Sequence, residues 1–382
     1  KSDYFDGIAV DSAVKNNLQG IGASSISLSN GKSAFSDLIA RLKAGGIESS
    51  VADGYVKNAT VFVDANGDGL LSAGEWSGTT DAGGNFLLPK DVSGGKIIAF
   101  GGTDIMTGKP FQGVLTAPVG STVVNPLTTL AQQLIEDGKA ATVESALDMV
   151  QKALNLPENT VIMHYDPLAV LANANASAAD KSVALEVQAI ALQVSNIVSQ
   201  IGSAIDAGSS ADKLSAADSV TSALAAIVAS GGKVNLSSAD TLTNIVKTAA
   251  GNVKADNIIN LAQDLGKITA ASNDTAASAK NIVELSKSAT VAQDSAVIAI
   301  VSGVINGNLG GAVNKFTGSN LDSEISKAIP QDSTPVVPII VTPPDNNGGG
   351  GDFIPPFLKL GIANTFSPST YKAILSSEAN PL

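Results

Sequence analysis

The apolar positions of this chain follow two regimes that meet near residue 125. Upstream, short apolar runs separated by Gly, Asn, Asp and Ser predict strands over residues 54–64, 85–88, 96–100, 111–116 and 121–124. The β-branched and aromatic run Ala59-Thr-Val-Phe-Val63 is the clearest of them. Downstream, to about residue 329, apolar residues recur at helical spacing. Leu127, Leu130, Ala131 and Leu134 share one face, and Val143, Leu147, Val150 and Leu154 share the next. The longest predicted helix, 178–206, carries a continuous stripe through Val183, Val187, Ile190, Val194, Ile197, Val198, Ile201 and Ile205. Further stripes run through Val220, Leu224 and Ile227, through Ile258, Leu261 and Leu265, and through Ile282, Leu285, Val297 and Ile300. Asn125-Pro126 and Asp166-Pro167 are helix starts with a mechanism: the first side chain caps free amides, and proline at the first helical position loses no hydrogen bond.

Outside these regimes, Phe35, Leu38, Ile39 and Leu42 predict one short helix over 33–43, ended by Gly45-Gly46, and residues 21–28 read as a strand weakened by glycine and serine. After Pro330 the sequence turns Pro-rich and then runs through four glycines, 348–351, the composition of a linker. Within it, residues 336–341 are apolar and extended, and a place along a sheet edge is the alternative. The stretch from Phe353 would expose a sizeable apolar patch if left free, so it is expected to dock on a neighbouring subunit or to begin a further domain. The expected architecture is therefore α+β and multidomain: an N-terminal segment with one helix (1–50), a small calcium-binding β-sandwich (51–125), an Ala-rich multi-helix bundle (126–329), a Pro/Gly-rich linker (330–352) and a C-terminal apolar docking segment (353–382). No strict repeat period favours a solenoid.

Composition narrows the function classes. The chain has 382 residues, enough for two or three domains, and a net charge of −12 with Arg41 its only arginine. No basic surface is available to neutralise phosphates, so nucleic acid is not an expected partner. Cysteine is absent, which removes disulfide scaffolds, thiolate metal sites and Cys nucleophiles and is compatible with a secreted bacterial protein. No unbroken run of about eighteen apolar residues occurs, so no transmembrane segment is expected. No basic region followed by an apolar core opens the chain, so any signal peptide is expected to be gone already, and the chain reads as part of a longer polypeptide.

The most specific chemical signal is Asp64-Ala-Asn-Gly-Asp-Gly-Leu-Leu-Ser-Ala-Gly-Glu75, which fits the calcium-loop pattern D-x-[DN]-x-[DN]-G-x5-E without a gap. Asp64, Asn66 and Asp68 place oxygens at loop positions 1, 3 and 5, the Leu70 carbonyl serves at 7, Ser72 or its water at 9, and Glu75 supplies two oxygens at 12. A hard cation needs roughly six to eight oxygens on one small sphere. Gly69, at position 6, permits the tight turn this requires. The incoming segment is a strand, unlike the helix of an EF-hand. An unoccupied polar turn between two strands is the plain alternative. Asp81, in the turn before Phe86, either bonds its own backbone or adds an oxygen to the Ca2+ site from the neighbouring hairpin.

Residues 54–75, together with Thr79-Thr-Asp-Ala-Gly-Gly-Asn-Phe86, resemble the calcium-binding B-type repeats of large secreted bacterial surface proteins, the Cna-B-like and carboxypeptidase-regulatory-like sandwiches. The resemblance covers about seventy of the 382 residues. It implies a stalk, spacer or lattice module and not a catalyst. Residues 101–111 and 117–130 are similar to the segments C-terminal to such modules in very large secreted adhesins.

Two singular residues read as structural. Trp76 is expected to cover the sandwich edge rather than bind sugar, and His164, the only histidine, has no Ser or Cys nucleophile in a recognisable elbow nearby. The leading expectation is thus a calcium-stabilised, non-enzymatic structural protein, secreted or on the bacterial cell surface. It would assemble with copies of itself or with further domains of a longer chain, as in a surface layer, filament or large adhesin. The alternative is an adhesin module that recognises a cell-surface glycan or a protein through its sandwich loops.

Overall fold

A computed structural model of the chain describes residues 46–92, 94–158, 160–209 and 216–329. The predicted helix at 33–43, the strand at 21–28, the linker and the C-terminal segment lie outside the described residues. Within them the chain is mixed α and β, with strands before residue 125 and helices after it.

The strand region contains β1 (Ile47–Val51), β2 (Val56–Lys57), β3 (Thr60–Asp64), β4 (Ser77–Thr79), β5 (Asn85–Leu88), β6 (Lys96–Phe100), β7 (Thr103–Asp104), β8 (Val114–Pro118) and β9 (Val123–Val124). They form a four-stranded sheet in the order β4-β3-β6-β8, a three-stranded sheet β5-β1-β9 and the pair β2-β7. All pairings are antiparallel except β1 with β9. β5 and β6 match the sequence expectation residue for residue, whereas β1 falls in what the sequence assigns to the N-terminal segment. The single strand expected over 54–64 starts only at Val56, after Tyr55 at φ 55°, and is split in two at Asn58, which adopts φ 57°.

Val61 and Val63 on β3, Ile97 and Ala99 on β6, and Leu115 and Ala117 on β8 share a core with Val51, Phe86, Leu88 and Val124 from the three-stranded sheet. The other face of the four-stranded sheet is buried too: Phe62, Ile98 and Phe100 cluster there, and the two phenylalanine rings meet edge to face at 6.3 Å. Burial on both faces is why Val61-Phe-Val63 and Ile97-Ile-Ala-Phe100 read as continuous apolar runs instead of alternating ones. Each such side chain removed from water contributes roughly 1.5–3 kcal/mol.

The helices are α1 (Pro126–Glu136), α2 (Val143–Ala153), α3 (Pro167–Ala172), α4 (Ala178–Gly208), α5 (Ala216–Ala229), α6 (Ala239–Asn252), α7 (Asp256–Ser278), α8 (Ile282–Thr290), α9 (Ala296–Ile305), α10 (Gly310–Lys315) and α11 (Gly318–Lys327). A π-helical turn, Val291–Ser295, joins α8 to α9. Both proline-marked starts form as the sequence predicts. Asn125 Oδ1 accepts from the Leu127 and Thr128 N–H at 2.9 Å each, and Asp166 Oδ1 accepts from the Ala169 N–H at 3.0 Å.

α4 is the central helix, packed against α3, α5, α7 and α9. It therefore buries polar residues as well as its apolar stripe. Gln193 Nε2 donates to the Asn273 carbonyl at 3.0 Å, Asn196 Nδ2 donates to Asn273 Oδ1 at 3.2 Å, and Gln200 Nε2 donates to Ser272 Oγ at 2.9 Å. By length and composition α4 and the continuous helix Ile282–Ile305 are apolar enough to cross a membrane. However, 56% and 44% of their apolar windows are buried inside the protein. The buried and bonded amides of α4 are those of a helix surrounded by other helices.

Candidate functional site

The loop after β3 is wound by its own side chains. Asp64 is fully buried, and its Oδ1 and Oδ2 accept from the Gly67 and Gly69 N–H at 2.7 and 2.9 Å. Asn66 Oδ1 accepts from the Asp68 N–H at 2.9 Å, and Asp68 Oδ1 accepts from the Leu70 N–H at 2.7 Å, two successive Asx turns. Gly69 has φ +77°, the left-handed conformation its position in the motif demands. Glu75 folds back across the loop: Oε1 accepts from the Ala65 N–H at 2.9 Å and Oε2 from the Ser72 N–H at 2.8 Å. The Leu70 N–H, with help from Asn66 and Ser72, holds the Asp68 carboxyl below the usual carboxylate range.

Asp64, Asn66, Asp68, Leu70 and Glu75 thus belong to one closed loop, with Asp64 buried at its start and Glu75 sealing its ends. The donor set is right for a hard cation, since it combines three carboxylates, an amide oxygen and a backbone carbonyl. Among the described residues no three carboxylate, imidazole or thiolate groups converge closely enough to hold a metal ion. Lys96 stands beside the loop, its Nζ 3.9 Å from Asp64 Oδ2 and 2.7 Å from Glu136 Oε1 on α1.

Asp81 is elsewhere. The register pairs Ser77 with Phe62 and Thr79 with Thr60, so β4 carries the chain away from the loop, and Asp81 lies beyond the far end of that strand. Four residues of extended backbone alone separate Thr60 from Asp64 by about 13 Å. Asp81 Oδ1 accepts from the Gly83 and Asn85 N–H at 2.8 and 2.9 Å, and it shapes the β4–β5 turn instead of adding a ligand. Trp76 packs on the sheet core with its ring 6.1 Å from that of Phe86, as an edge cover should. His164 Nδ1 stands 3.2 Å from Thr122 Oγ1 in the loop before α3.

A polar junction that the sequence did not announce ties the sheets to the helices. Tyr55, strained at φ 55°, donates from its hydroxyl to Asp166 Oδ2 at 2.8 Å, the same carboxylate that caps α3. Gln188 Nε2 donates to the Asp53 carbonyl at 2.6 Å, and Ser286 Oγ donates to the Met106 carbonyl at 2.8 Å. At the centre are two buried carboxyl groups, Asp53 and Asp104. Burial pushes Asp53 up to about 7, reinforced by the charge of Asp104 and opposed by Ser195 and Gln293. Burial likewise raises Asp104 to about 6, against hydrogen bonds from Thr107 and the Met106 N–H. Sequence alone marks these residues only as turn-formers among glycines. The chain matches no protein-family model, no curated protein and no solved structure.

Proposed function

We propose that this chain is a calcium-stabilised structural module of a secreted or surface-attached bacterial protein, one that assembles with copies of itself or with further domains of a longer polypeptide. In this reading the strands form a small β-sandwich stapled by calcium, and the helices form a multi-helix bundle seated on it. The observation that carries the reading is the loop of Asp64 to Glu75, wound around a buried carboxylate, whose sequence matches the calcium-loop pattern at every ligand position. Asp64, Asn66, Asp68, the Leu70 carbonyl and Glu75 would hold the ion. Bound calcium would supply positive charge to the carboxylates of Asp64, Asp68 and Glu75, fixing the strand exit of β3. Extracellular sites of this kind work at dissociation constants on the order of 10⁻⁴ to 10⁻³ M, which suits a calcium-rich exterior.

The test is particle size and shape by light scattering and electron microscopy, in millimolar calcium and then in chelator. Filaments or sheets that disperse on chelation and return with calcium are the expected outcome. A monomer under both conditions overturns self-assembly for this chain, and an unchanged melting temperature overturns the calcium staple.

A further inference from the structure

Behind the four-stranded sheet a cavity of about 390 Å³ opens between β6 and β8 on one side and α1, α4 and the π-helical turn on the other. That volume lies in the range of small-molecule sites, roughly 300–1,000 Å³. One end reaches the calcium loop at Gly69, and Asp53 and Asp104 line the other. Its walls are largely apolar: Phe111, Val114, Val194, Val198, Val297 and Ile298.

The polar end is incompletely bonded. Ser195 Oγ donates to Asp53 Oδ2 at 2.9 Å and itself accepts from Gln293 Nε2 at 3.0 Å. Asp53 Oδ1, on a residue only 4% exposed, has no hydrogen-bond partner, and neither does Ser199 Oγ one turn further along α4. Asp104, by contrast, is satisfied by the Met106 N–H and the Thr107 hydroxyl, both at 2.8 Å. The two lysines on the cavity wall are already engaged: Lys109 pairs with Asp294 at 2.9 Å and Lys96 with Glu136 at 2.7 Å. The acid pair at the floor has no such counter-charge among the described residues. An orphaned buried carboxylate oxygen costs several kcal/mol unless a donor meets it.

The placement is built by unusual backbone. Gly54 leaves no room for a side chain, since a Cβ there would lie 2.2 Å from both Asp104 Oδ1 and Met106 Cβ. Tyr55 comes next in a left-handed conformation, and Gln293 and Asp294 are aimed by the π-helical turn. Such turns gather at functional sites.

We propose that this cleft binds a small organic cation, a primary ammonium on an apolar stem, with the ammonium against Asp53 and the stem along the valine and isoleucine wall. A divalent metal fits poorly, because it takes roughly six to eight oxygens and the floor offers one free carboxylate oxygen and one free hydroxyl. An anion would face two acids. The ammonium favours the ionised form of the Asp53 carboxyl, which burial holds above the usual carboxylate range, so a proton held there leaves to solvent as the ammonium enters.

The experiment is isothermal titration of the full chain, in saturating calcium at pH 8, with n-hexylammonium, the neutral isostere hexanol, hexanoate and a capped peptide carrying one lysine. Hexylammonium is expected to bind one to one, at least tenfold tighter than hexanol, with hexanoate silent. Its affinity should fall at least tenfold by pH 5, and near pH 7 its heat should vary with the buffer as protons are released. Asp53→Asn should lose at least tenfold in affinity. Val198→Trp fills the cleft without touching the acids and should abolish binding while keeping the circular dichroism melt. Tighter binding of the lysine peptide than of the free amine would assign the cation to a partner protein's side chain. Equal binding of hexanol or hexanoate, no heat with any probe at millimolar concentration, or wild-type affinity in a folded Asp53→Asn or Val198→Trp variant would overturn the proposal.

Discussion

The oxygens of Asp64 tie the Gly67 and Gly69 N–H groups, and in the proposed function the same residue would be the first ligand of the calcium loop. Asp64→Ala should therefore abolish the calcium-induced rise in melting temperature, which for wild type at a hundredfold excess over Kd corresponds to about 2.7 kcal/mol. A calcium response equal to that of wild type in this variant would place the ion elsewhere. Asp53 and Asp104 make the opposite kind of statement, since their folded-state values of about 7 and about 6 stand above the ordinary 3.8. The folded chain therefore holds protons that the unfolded chain has released, so the contribution is complete below pH 3.8 and is lost as pH rises through 6 and 7. Urea unfolding of wild type should show stability declining across that window relative to Asp53→Asn. Parallel pH profiles for the two proteins would refute the assignment.

At the scale of elements, α1 is the joint between the two regimes. Its cap is satisfied twice by Asn125, and Thr128 and Thr129 both donate to the Thr116 carbonyl on β8, at 2.9 and 3.2 Å. Asn125→Ala leaves the Leu127 and Thr128 N–H groups without their acceptor in a buried place, and should cost about 1–2 kcal/mol. The midpoint of chemical denaturation measures this directly, and a loss under about 0.3 kcal/mol would mean that the β8 contacts, not the cap, set the start of α1. The strands were legible where apolar residues are dense and turns are marked, as in β5, whose burial alternates, and β6, which is buried on both faces. β1 was not, because Ile47-Glu-Ser-Ser-Val51 carries too few apolar residues to signal a strand and is ordered by pairing with β5 and β9. Gln193, Asn196 and Gln200 were not legible as core either, since periodicity marks a polar residue as exposed unless helices surround it on every side.

The sequence divides the chain at residue 125, whereas the described residues pack across that boundary. Tyr55, Met106 and Val123 share a cluster with Leu168, Leu192 and Leu285, and the bonds of Tyr55, Gln188 and Ser286 cross the same interface. Strands and helices joined in this way should unfold together. Calorimetry in saturating calcium is expected to give one transition, and chelation should lower that whole transition instead of splitting off a first one. Two resolved transitions in calcium would show that the interface contributes little and that the strand and helix regions melt separately.

What the sequence determined by itself is local. The calcium-loop spacing, the two proline-marked helix starts and the periods of strand and helix all stem from residues within a dozen positions of one another, and short-range geometry is enough to fix them. Tertiary structure alone decided what depends on distant partners. It separated Asp81 from the loop through the β3–β4 register, turned polar residues of α4 inward, and brought Asp53, Asp104, Ser195 and Gln293 to one cavity. These four come from segments up to 240 residues apart, and no pattern along the chain encodes their meeting. The raised pKa values of Asp53 and Asp104 are a consequence of burial, which only the packed molecule imposes.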